Sequence, residues 1–325
     1  MPRLISVDDL TDQQLRDLVT RGAAFAAGAR PDPVLAGKVV GTYFSKTSTR
    51  TRTAFATAAL RLGGQLISYG PHDLQLNTGE TIADTGKVLS RMLDLLVIRT
   101  SGPEAEMVQL SGDGRVPVVN AMSEREHPTQ ALTDLTTLQR CFGRVDGLRL
   151  LYCGEGNNSA VALALALTRF PGTELTLCTP PGYGLPAEVV AQARTSAAAS
   201  GASIVQRHDI AQLPEQLDAV YTTRWQTTGT SKADPDWRTA FQPFQVDQQL
   251  MDRYPRAVFL HDLPAHRGEE VSAEVLDGPR SIAFDQAENK LHSAMAVLEW
   301  CSTGRTGEAE PGRVHPGDSG RLIWW

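Results

Sequence analysis

The sequence predicts an α/β protein built from two doubly wound parallel-sheet domains. Short apolar runs of strand length alternate along the chain with longer segments whose apolar residues recur at the period of a helix. Such alternation predicts parallel sheets with helices on both faces. The 325 residues are enough for two units of this kind, each with its own hydrophobic core.

The predicted strands are short apolar segments spread over both halves of the chain. They cover residues 38–44, 65–69, 95–99, 116–120, 148–153, 174–179, 203–206, 219–222, 257–261 and 281–283. The predicted helices have an apolar face at helical spacing and lie between several of these strands. They cover residues 52–62, 81–93, 129–141, 159–169, 187–200 and 291–299.

The boundary between the two domains is predicted near residue 141, where a helix over 128–141 gives way to the turn-like residues 142–147. The first domain would then span residues 1–141 and the second residues 142–287. A C-terminal helix over 288–302 is expected to pack back on the first domain. Residues 303–325 are rich in glycine, proline, arginine and glutamate, which predicts a flexible tail.

Composition argues against several classes of protein. The chain carries 31 basic and 37 acidic residues, whereas proteins that bind nucleic acid or anionic membranes are usually basic. No apolar run has the length of a membrane span, and the polar, acidic start of the chain does not resemble a signal peptide. The four cysteines are scattered without metal-binding spacing, as is typical of reduced cytosolic thiols. We therefore expect a cytoplasmic protein without a metal site, a nucleic-acid partner or a membrane.

The sharpest local signal lies at residues 44–52, Phe-Ser-Lys-Thr-Ser-Thr-Arg-Thr-Arg, between a predicted strand and a predicted helix. The first turn of a helix has unpaired N–H groups and the positive end of the helix dipole, so it binds anions readily. Hydroxyl and guanidinium side chains alternate at this helix start. That combination suits a phosphate dianion. The alternative is a capped surface helix with solvated arginines.

Two further segments fit the same ligand. Arg99 ends the nearly uncharged strand over 95–99, where a cation is costly unless it meets an anion. His127 and Gln130, in His-Pro-Thr-Gln, place an imidazole and a carboxamide at the start of another helix. Histidine beside proline is also common in loops, so this motif is weak by itself. Gln75, in a polar segment, has no signal of its own.

These motifs resemble those of the aspartate and ornithine carbamoyltransferases. Residues 48–52, Ser-Thr-Arg-Thr-Arg, are similar to the carbamoyl phosphate signature of that family, and residues 127–130 to its second motif. Arg99 falls where the family places an arginine between phosphate and carbonyl. The likeness continues in order through residues 154–158, 261–270 and 284–289. It covers roughly residues 1–300 and is closer to the ornithine branch than to the aspartate branch.

The resemblance implies an enzyme that transfers the carbamoyl group of carbamoyl phosphate to a primary amine and releases phosphate. No cofactor, metal or covalent intermediate is needed, because carbamoyl phosphate is already activated. The carbonyl oxygen gains negative charge as the amine attacks, so donors placed around it act as an oxyanion hole. The residues implied in this role are Thr49, Arg99, His127 and Gln130. The residues implied to hold the phosphate are Ser48, Arg50, Thr51 and Arg99.

The resemblance also implies contacts from more distant segments. The backbone carbonyl of Leu263 would accept a hydrogen bond from the carbamoyl NH₂ group. Lys290 stands where the family has an arginine near carbamoyl phosphate, and lysine keeps the charge but not the planar fork. The loop of Gln75 would reach the site of a neighbouring subunit, in a homotrimer whose sites lie at subunit interfaces.

Residues 154–158, Gly-Glu-Gly-Asn-Asn, must be weighed against a dinucleotide-binding loop, because they follow a predicted strand and approach the pattern G-x-G-x-x-G. Ser159 replaces the third glycine, and the next strand lacks the terminal acidic residue that would bind a ribose. A cofactor is therefore not predicted. In the family this turn belongs to the amino-acid subsite, so the resemblance implies that Asn158 contacts the amine substrate.

The amine end departs from the ornithine pattern. Thr223 stands where ornithine enzymes carry an aspartate for the substrate's α-amino group, and Thr227 and Thr228 replace a Ser-Met pair. A hydroxyl in place of a carboxylate loses a charge-assisted hydrogen bond worth about 1.5–3 kcal/mol. Asp262 replaces the cysteine of a His-Cys-Leu-Pro motif and could attract an ammonium group or accept its proton as general base. The alternative is a loop aspartate that bonds its own backbone.

From these departures we expect a specialised carbamoyltransferase whose acceptor is a primary amine other than ornithine, in secondary metabolism such as antibiotic biosynthesis. The alternative within the enzyme class is an ordinary ornithine carbamoyltransferase that makes citrulline. The alternative from another class is a non-catalytic binding or regulatory relative. The joint presence of residues 48–52, Arg99, His127 and Gln130 argues against a decayed enzyme.

Overall fold

The computed structural model of the protein describes residues 2–227 and 231–306. Within these ranges the chain forms nine strands in two sheets. The strands are β1 Val39–Phe44, β2 Gln65–Tyr69, β3 Leu95–Arg99, β4 Val118–Asn120, β5 Arg149–Cys153, β6 Glu174–Cys178, β7 Ser203–Arg207, β8 Ala219–Thr222 and β9 Val258–His261. All neighbouring strands in both sheets are parallel, as predicted.

Eleven α-helices connect and cover the strands in the described part of the chain. They are α1 Asp12–Ala26, α2 Arg50–Arg61, α3 Ile82–Leu89, α4 Glu104–Leu110, α5 Pro128–Phe142, α6 Asn158–Leu167, α7 Ala187–Ser200, α8 Trp237–Phe241, α9 Gln248–Asp252, α10 Ala273–Leu276 and α11 Ala283–Thr303. Along the chain, α5 lies between the two sheets. The last helix, α11, packs against α1, α2 and α5. The predicted fold class, two doubly wound parallel sheets, is confirmed.

The first sheet has the strand order β2-β1-β3-β4, so the direction of winding reverses between β1 and β3. In open parallel sheets, ligands bind at such a reversal, beyond the carboxyl ends of the strands. Phe44 of β1 pairs with Arg99 of β3, and the Ser45 N–H donates to the Arg99 carbonyl at 3.0 Å. The segment that leads into α2 and the Arg99 side chain therefore leave the same edge.

The second sheet has the order β7-β6-β5-β8-β9, and its winding reverses between β5 and β8. Cys153, Thr222 and His261, which end β5, β8 and β9, lie in register. Residues that are far apart in sequence, such as Thr223 and Asp262, therefore follow directly from neighbouring strands. This register brings the three predicted amine-site segments to one edge.

Three details of the element prediction were wrong. The strand expected over 281–283 does not form, because Ser281 makes only an isolated bridge to Phe259 and the backbone then enters α11 at Ala283. The predicted helix over 291–299 is the central part of this longer helix, whose first turn presents an exposed Phe284 that obscures the apolar face. Helices α1 and α4, and the short helices α8, α9 and α10, were not predicted.

The predicted tail over 303–325 lies mostly outside the described residues, since α11 ends at Thr303 and the description ends at residue 306. None of the helices in the described ranges has both the length and the apolar content needed to cross a bilayer.

Candidate active site at the carboxyl ends of the two sheets

A pocket of about 300 Å³ lies at the carboxyl ends of both sheets. Its lining comes from the end of β3 and from the segments after β1, β4, β5, β8 and β9, together with one residue of α11. The lining residues are Thr47, Ser48, Thr49, Arg50, Thr51, Arg99, Met122, His127, Gln130, Asn157, Asn158, Ser159, Thr223, Arg224, Gln226, Thr227, Asp262, Leu263, Pro264 and Lys290. This set includes every predicted site residue that the structure describes, except Gln75.

Two guanidinium groups face the pocket at the start of α2 and the end of β3. Burial lowers the pKa of Arg50, and burial lowers the pKa of Arg99 to about 10, with Asp262 opposing both shifts. A guanidinium is not deprotonated in proteins at neutral pH, so both groups carry a charge. The Arg99 Nε is buried and has no hydrogen-bond partner among the described residues. The Thr49 side chain is not used to cap α2. Cations and hydroxyls are thus available to an anion here.

Arg52, the second arginine of the predicted anion motif, does not line the pocket. Its Nη2 donates to the Tyr69 carbonyl at 3.3 Å, and its guanidinium lies over the Phe44 ring, 5.3 Å from the centroid. On a helix, residues two positions apart point in different directions. Arg50 therefore faces the pocket, whereas Arg52 packs against the first sheet.

His127 is buried at the N-cap of α5, and burial lowers its pKa well below the ordinary value, helped by the Lys290 and Arg99 charges. The imidazole is therefore neutral at physiological pH and can donate one hydrogen bond. Thr129 Oγ1 lies 3.3 Å from the Nδ1 atom. The His127 N–H donates to the Asn158 carbonyl at 3.1 Å, which ties the start of α5 to the start of α6.

Gln130 has both ends of its amide engaged. Its Nε2 donates to Asp134 Oδ1 at 2.7 Å, and its Oε1 accepts a hydrogen bond from Lys290 Nζ. One Nε2 hydrogen remains for a ligand. Lys290 is buried on α11, so it supplies a cation to the phosphate side of the pocket from the last helix of the fold.

At the opposite side, Thr223 is held by its neighbours. Its Oγ1 lies 2.9 Å from Tyr152 OH and accepts from Asn157 Nδ2 at 3.0 Å. Asn157 caps α6 with its own side-chain oxygen, which accepts from the Ser159 N–H. Asn158 donates to the Ser123 carbonyl at 2.9 Å. The Thr223 hydroxyl is thus committed to buried protein contacts.

Asp262 supplies the carboxylate of the pocket. Its Oδ2 accepts from Ser159 Oγ at 3.1 Å, and its Oδ1 lies 3.7 Å from His261 Nδ1. That imidazole nitrogen accepts the Leu263 N–H at 2.8 Å. The Asp262 side chain therefore reaches across to α6 instead of bonding the backbone of its own loop. A negative group and the cations Arg50 and Arg99 share one cavity.

Two predicted site residues are not among the residues that line the pocket. Gln75 lies in an exposed 3₁₀ turn, Gln75–Thr78, where its side chain accepts from Thr78 Oγ1 at 2.8 Å. Thr228 lies outside the described residues. The sequence analysis also missed several lining residues. Asn157 could have been found from its N-cap position, whereas Met122, Gln226 and Pro264 carry no local signal.

The described residues bring one set of metal-ligand side chains together, away from the pocket. Atoms of His266, Glu269 and Glu270 lie within 4.8 Å of one another. Glu269 also pairs with Arg238 at 3.8 Å, and the buried Glu270 accepts from the His261 Nε2 at 3.1 Å. Protein partners thus already use two of the three groups.

Both halves of the chain match models of one family. Residues 3–140 match the aspartate/ornithine carbamoyltransferase, carbamoyl-P binding domain. Residues 146–301 match the aspartate/ornithine carbamoyltransferase, Asp/Orn binding domain. Together these matches extend over nearly all of the described chain.

Individual proteins similar to this chain carry the same family name. The ornithine carbamoyltransferase of Halalkalibacterium halodurans is 40% identical over 299 residues, 91% of this chain and 93% of its own. That of Thermococcus kodakarensis is 42% identical over 270 residues, 83% of this chain and 85% of its own. The solved ornithine carbamoyltransferase of Pyrococcus furiosus has a TM-score of 0.85 and 38% identity, covering 91% of this chain and 95% of that one.

These similarities correct the expected acceptor. The expectation that Thr223, Asp262 and Lys290 mark an amine other than ornithine is wrong, because relatives 36–42% identical across most of the chain are named ornithine carbamoyltransferase. The structure offers a physical reason. The carboxylate missing at Thr223 is matched by that of Asp262 in the same pocket, so this end keeps a negative charge. The expectation of antibiotic biosynthesis has no support.

The fold, the pocket and the similarities agree. Two parallel sheets present cationic donors and a carboxylate to one cavity, and the same fold occurs in solved carbamoyltransferases. Because the relatives are enzymes, a non-catalytic relative is not favoured. The chain belongs to the aspartate/ornithine carbamoyltransferase family and is a carbamoyltransferase.

Proposed function

We propose that the protein transfers the carbamoyl group of carbamoyl phosphate to ornithine, which yields citrulline and phosphate. The observation that supports this most is the pocket, where the hydroxyl and guanidinium donors of residues 48–51 and Arg99 share a cavity with the carboxylate of Asp262. A phosphate dianion and an ammonium group are complementary to these two sides. The relatives named ornithine carbamoyltransferase support ornithine as the amine.

In the proposed mechanism, residues 48–51 and Arg99 bind the phosphate at the start of α2, and Arg99 also reaches the carbonyl oxygen. The neutral His127 and the remaining Nε2 hydrogen of Gln130 donate to that oxygen. The lone pair of the amine attacks the carbonyl carbon, and the bond from that carbon to the phosphate oxygen breaks. The phosphate leaves with the electron pair, and the neighbouring cations stabilise its charge. Leu263 would accept from the carbamoyl NH₂.

On the acceptor side, the amine must lose a proton before or during the attack. Asp262 is proposed to attract the substrate's ammonium group and to accept a proton as general base. Asn158 and Thr227 line the same side of the pocket and are proposed amine contacts. Thr223, through Tyr152 and Asn157, is proposed to shape this side instead of binding an ammonium group. Thr228 stays a prediction.

We further propose a homotrimer in which the Gln75 turn completes the site of a neighbouring subunit. Two features are consistent with this proposal: the turn is exposed, and it lies outside the pocket of its own chain. The division into a carbamoyl phosphate domain over 1–141 with 288–302, and an amine domain over 142–287, is part of the same proposal.

The test is an acceptor panel with purified protein and saturating carbamoyl phosphate. Ornithine, lysine, 2,4-diaminobutyrate and putrescine are compared by phosphate release, and the ureido product is measured colorimetrically. We expect kcat/KM for ornithine to exceed that for each other amine at least about tenfold, since a pocket discriminates one methylene by this order. Phosphate release with another amine but not with ornithine would contradict the proposal.

Lys290 makes carbamoyl phosphate binding depend on pH. Burial lowers the pKa of Lys290 to about 8, with Asp262 and Asp134 opposing the shift. The charged form favours a dianion, so affinity should be constant below pH 8 and fall as pH rises through that value. KM for carbamoyl phosphate, measured between about pH 7 and pH 9.5, should therefore rise on the alkaline side.

Lys290→Arg is the matched variant, because a guanidinium stays protonated over this range. Its KM for carbamoyl phosphate should stay flat, whereas Lys290→Met should be flat and higher at every pH. A wild-type KM that does not change across pH 8 would contradict this prediction.

A further inference from the structure

A buried carboxylate that does not line the pocket lies directly behind it. Asp134 of α5 is fully buried, and its Oδ1 accepts from Gln130 Nε2 at 2.7 Å and from Gln286 Nε2 at 2.6 Å. Burying a carboxylate is costly unless several donors satisfy it. Burial raises the pKa of Asp134, while the two amide hydrogen bonds and the Lys290 charge oppose that rise.

The oxygen atom of each amide accepts a hydrogen bond from a group that lines or supports the pocket wall. Gln130 Oε1 accepts from Lys290 Nζ, and Gln286 Oε1 accepts from the backbone N–H of His261 at 2.9 Å. The His261 Nδ1 in turn accepts the Leu263 N–H at 2.8 Å. One chain of hydrogen bonds from Asp134 thus ends at Lys290, and the other ends at the loop after β9.

Asp134 is the one group in this network that accepts a hydrogen bond from both amides. Asp134 Oδ1 is the acceptor for both amides, so each amide presents its NH₂ group to Asp134 and its oxygen outward. If either amide turned over, its NH₂ group would face another donor, the Lys290 ammonium or the His261 N–H. The Lys290 ammonium and the His261 N–H favour the same orientations, but each contacts only one amide, whereas Asp134 accepts from both.

We propose that Asp134 is a positioning residue that fixes the carbamoyl side of the pocket through Gln130 and Gln286. The inference rests on the proposed function, because Gln130 and the Leu263 loop are the groups assigned to the carbamoyl moiety. Asp134 itself touches no substrate atom in this scheme. It ties a side chain of α5 to a loop of the second sheet, so both halves of the site depend on one carboxylate.

Phosphonoacetamide and inorganic phosphate separate this role from a general effect on folding. Both probes carry the anion held by residues 48–51, but only phosphonoacetamide carries a carbonyl and an amide. By calorimetry, Asp134→Ala should weaken phosphonoacetamide binding about tenfold and leave phosphate binding within about twofold. Asp134→Asn should restore most of the preference, because the amide oxygen of asparagine can still accept from both glutamines.

Glu299→Gln is the matched control. Glu299 is a buried carboxylate of α11 that pairs with Arg21 at 2.7 Å, away from the pocket. This variant should lose thermal stability without changing the preference between the two probes. If Asp134→Ala does not fold, Gln286→Leu can be used instead. This variant removes only the hydrogen bonds that link Asp134 to His261, and it should lower the preference for phosphonoacetamide over phosphate by a smaller factor.

The outcomes are distinct. A wild-type protein that prefers phosphonoacetamide, with an Asp134→Ala variant that keeps the full preference, would overturn the inference and leave the proposed function standing. A wild-type protein that binds both probes equally would overturn the carbamoyl subsite and the inference with it. Since neither probe contains the acceptor amine, an error in the assignment of ornithine does not alter the result.

Discussion

Replacing Arg50 by methionine should lower kcat/KM for carbamoyl phosphate about a thousandfold. A forked guanidinium makes paired charge-assisted hydrogen bonds to a phosphate, each worth about 1.5–3 kcal/mol, and methionine removes both without opening a large space. The kcat should fall as well, because the phosphate gains negative charge as it leaves and Arg50 stabilises that charge. Initial rates of citrulline formation against carbamoyl phosphate concentration measure the effect.

Arg52→Met is the matched control for this prediction. It removes the same group two positions along α2, from a side chain that contacts Tyr69 and Phe44 and does not line the pocket. We expect its kcat/KM to stay within about threefold of wild type, because Arg52 does not line the pocket. Equal losses in the two variants would show that helix packing, and not phosphate binding, explains the effect of Arg50.

Asp262→Asn should change the binding of the two substrates in opposite directions. The kcat/KM for ornithine should fall about a hundredfold, because asparagine cannot attract an ammonium group by charge or accept its proton. Affinity for carbamoyl phosphate should rise, since the charge of Asp262 acts on Arg50, Arg99 and Lys290. Steady-state kinetics with each substrate varied in turn, together with direct calorimetry of the phosphate ligand, measure both effects.

Asp285→Asn provides the control, because it removes the same formal charge from an exposed position in the first turn of α11. Neither substrate's kinetics should change by more than about twofold, as expected for a screened surface charge. If Asp262→Asn also leaves ornithine kinetics unchanged, the carboxylate has a structural role in the loop and the proposed acceptor site must be placed elsewhere.

The donor side of the site could be predicted from sequence because its signals are local. Residues 48–51 follow a strand and open a helix, and the chemistry of a helix start points to an anion without knowledge of the rest of the fold. Arg99 could be added because a cation at the end of an apolar strand is costly unless it contacts an anion. The alternation of strands and helices was likewise enough for the fold class.

The acceptor side could not be judged in this way, because its chemistry depends on which distant residues share a cavity. Compared with the ornithine pattern, Thr223 lacks a carboxylate and Asp262 adds one. Nothing in the local sequence shows that these two positions lie near each other. Only the register of β8 with β9 brings them to one edge. The link from Asp134 through Gln286 to His261 is equally invisible, because α5 and α11 meet only in the folded protein.

The return of α11 to the first half of the fold has a consequence for synthesis. A growing chain completes the first sheet by residue 120, yet α1, α2 and α5 remain without the helix that packs against them until Ala283–Thr303 has left the ribosome. Until then an apolar surface stays open to solvent and to other nascent chains, the situation in which aggregation begins. Translation that stops short of residue 283 should therefore yield an insoluble fragment and not a working half-enzyme.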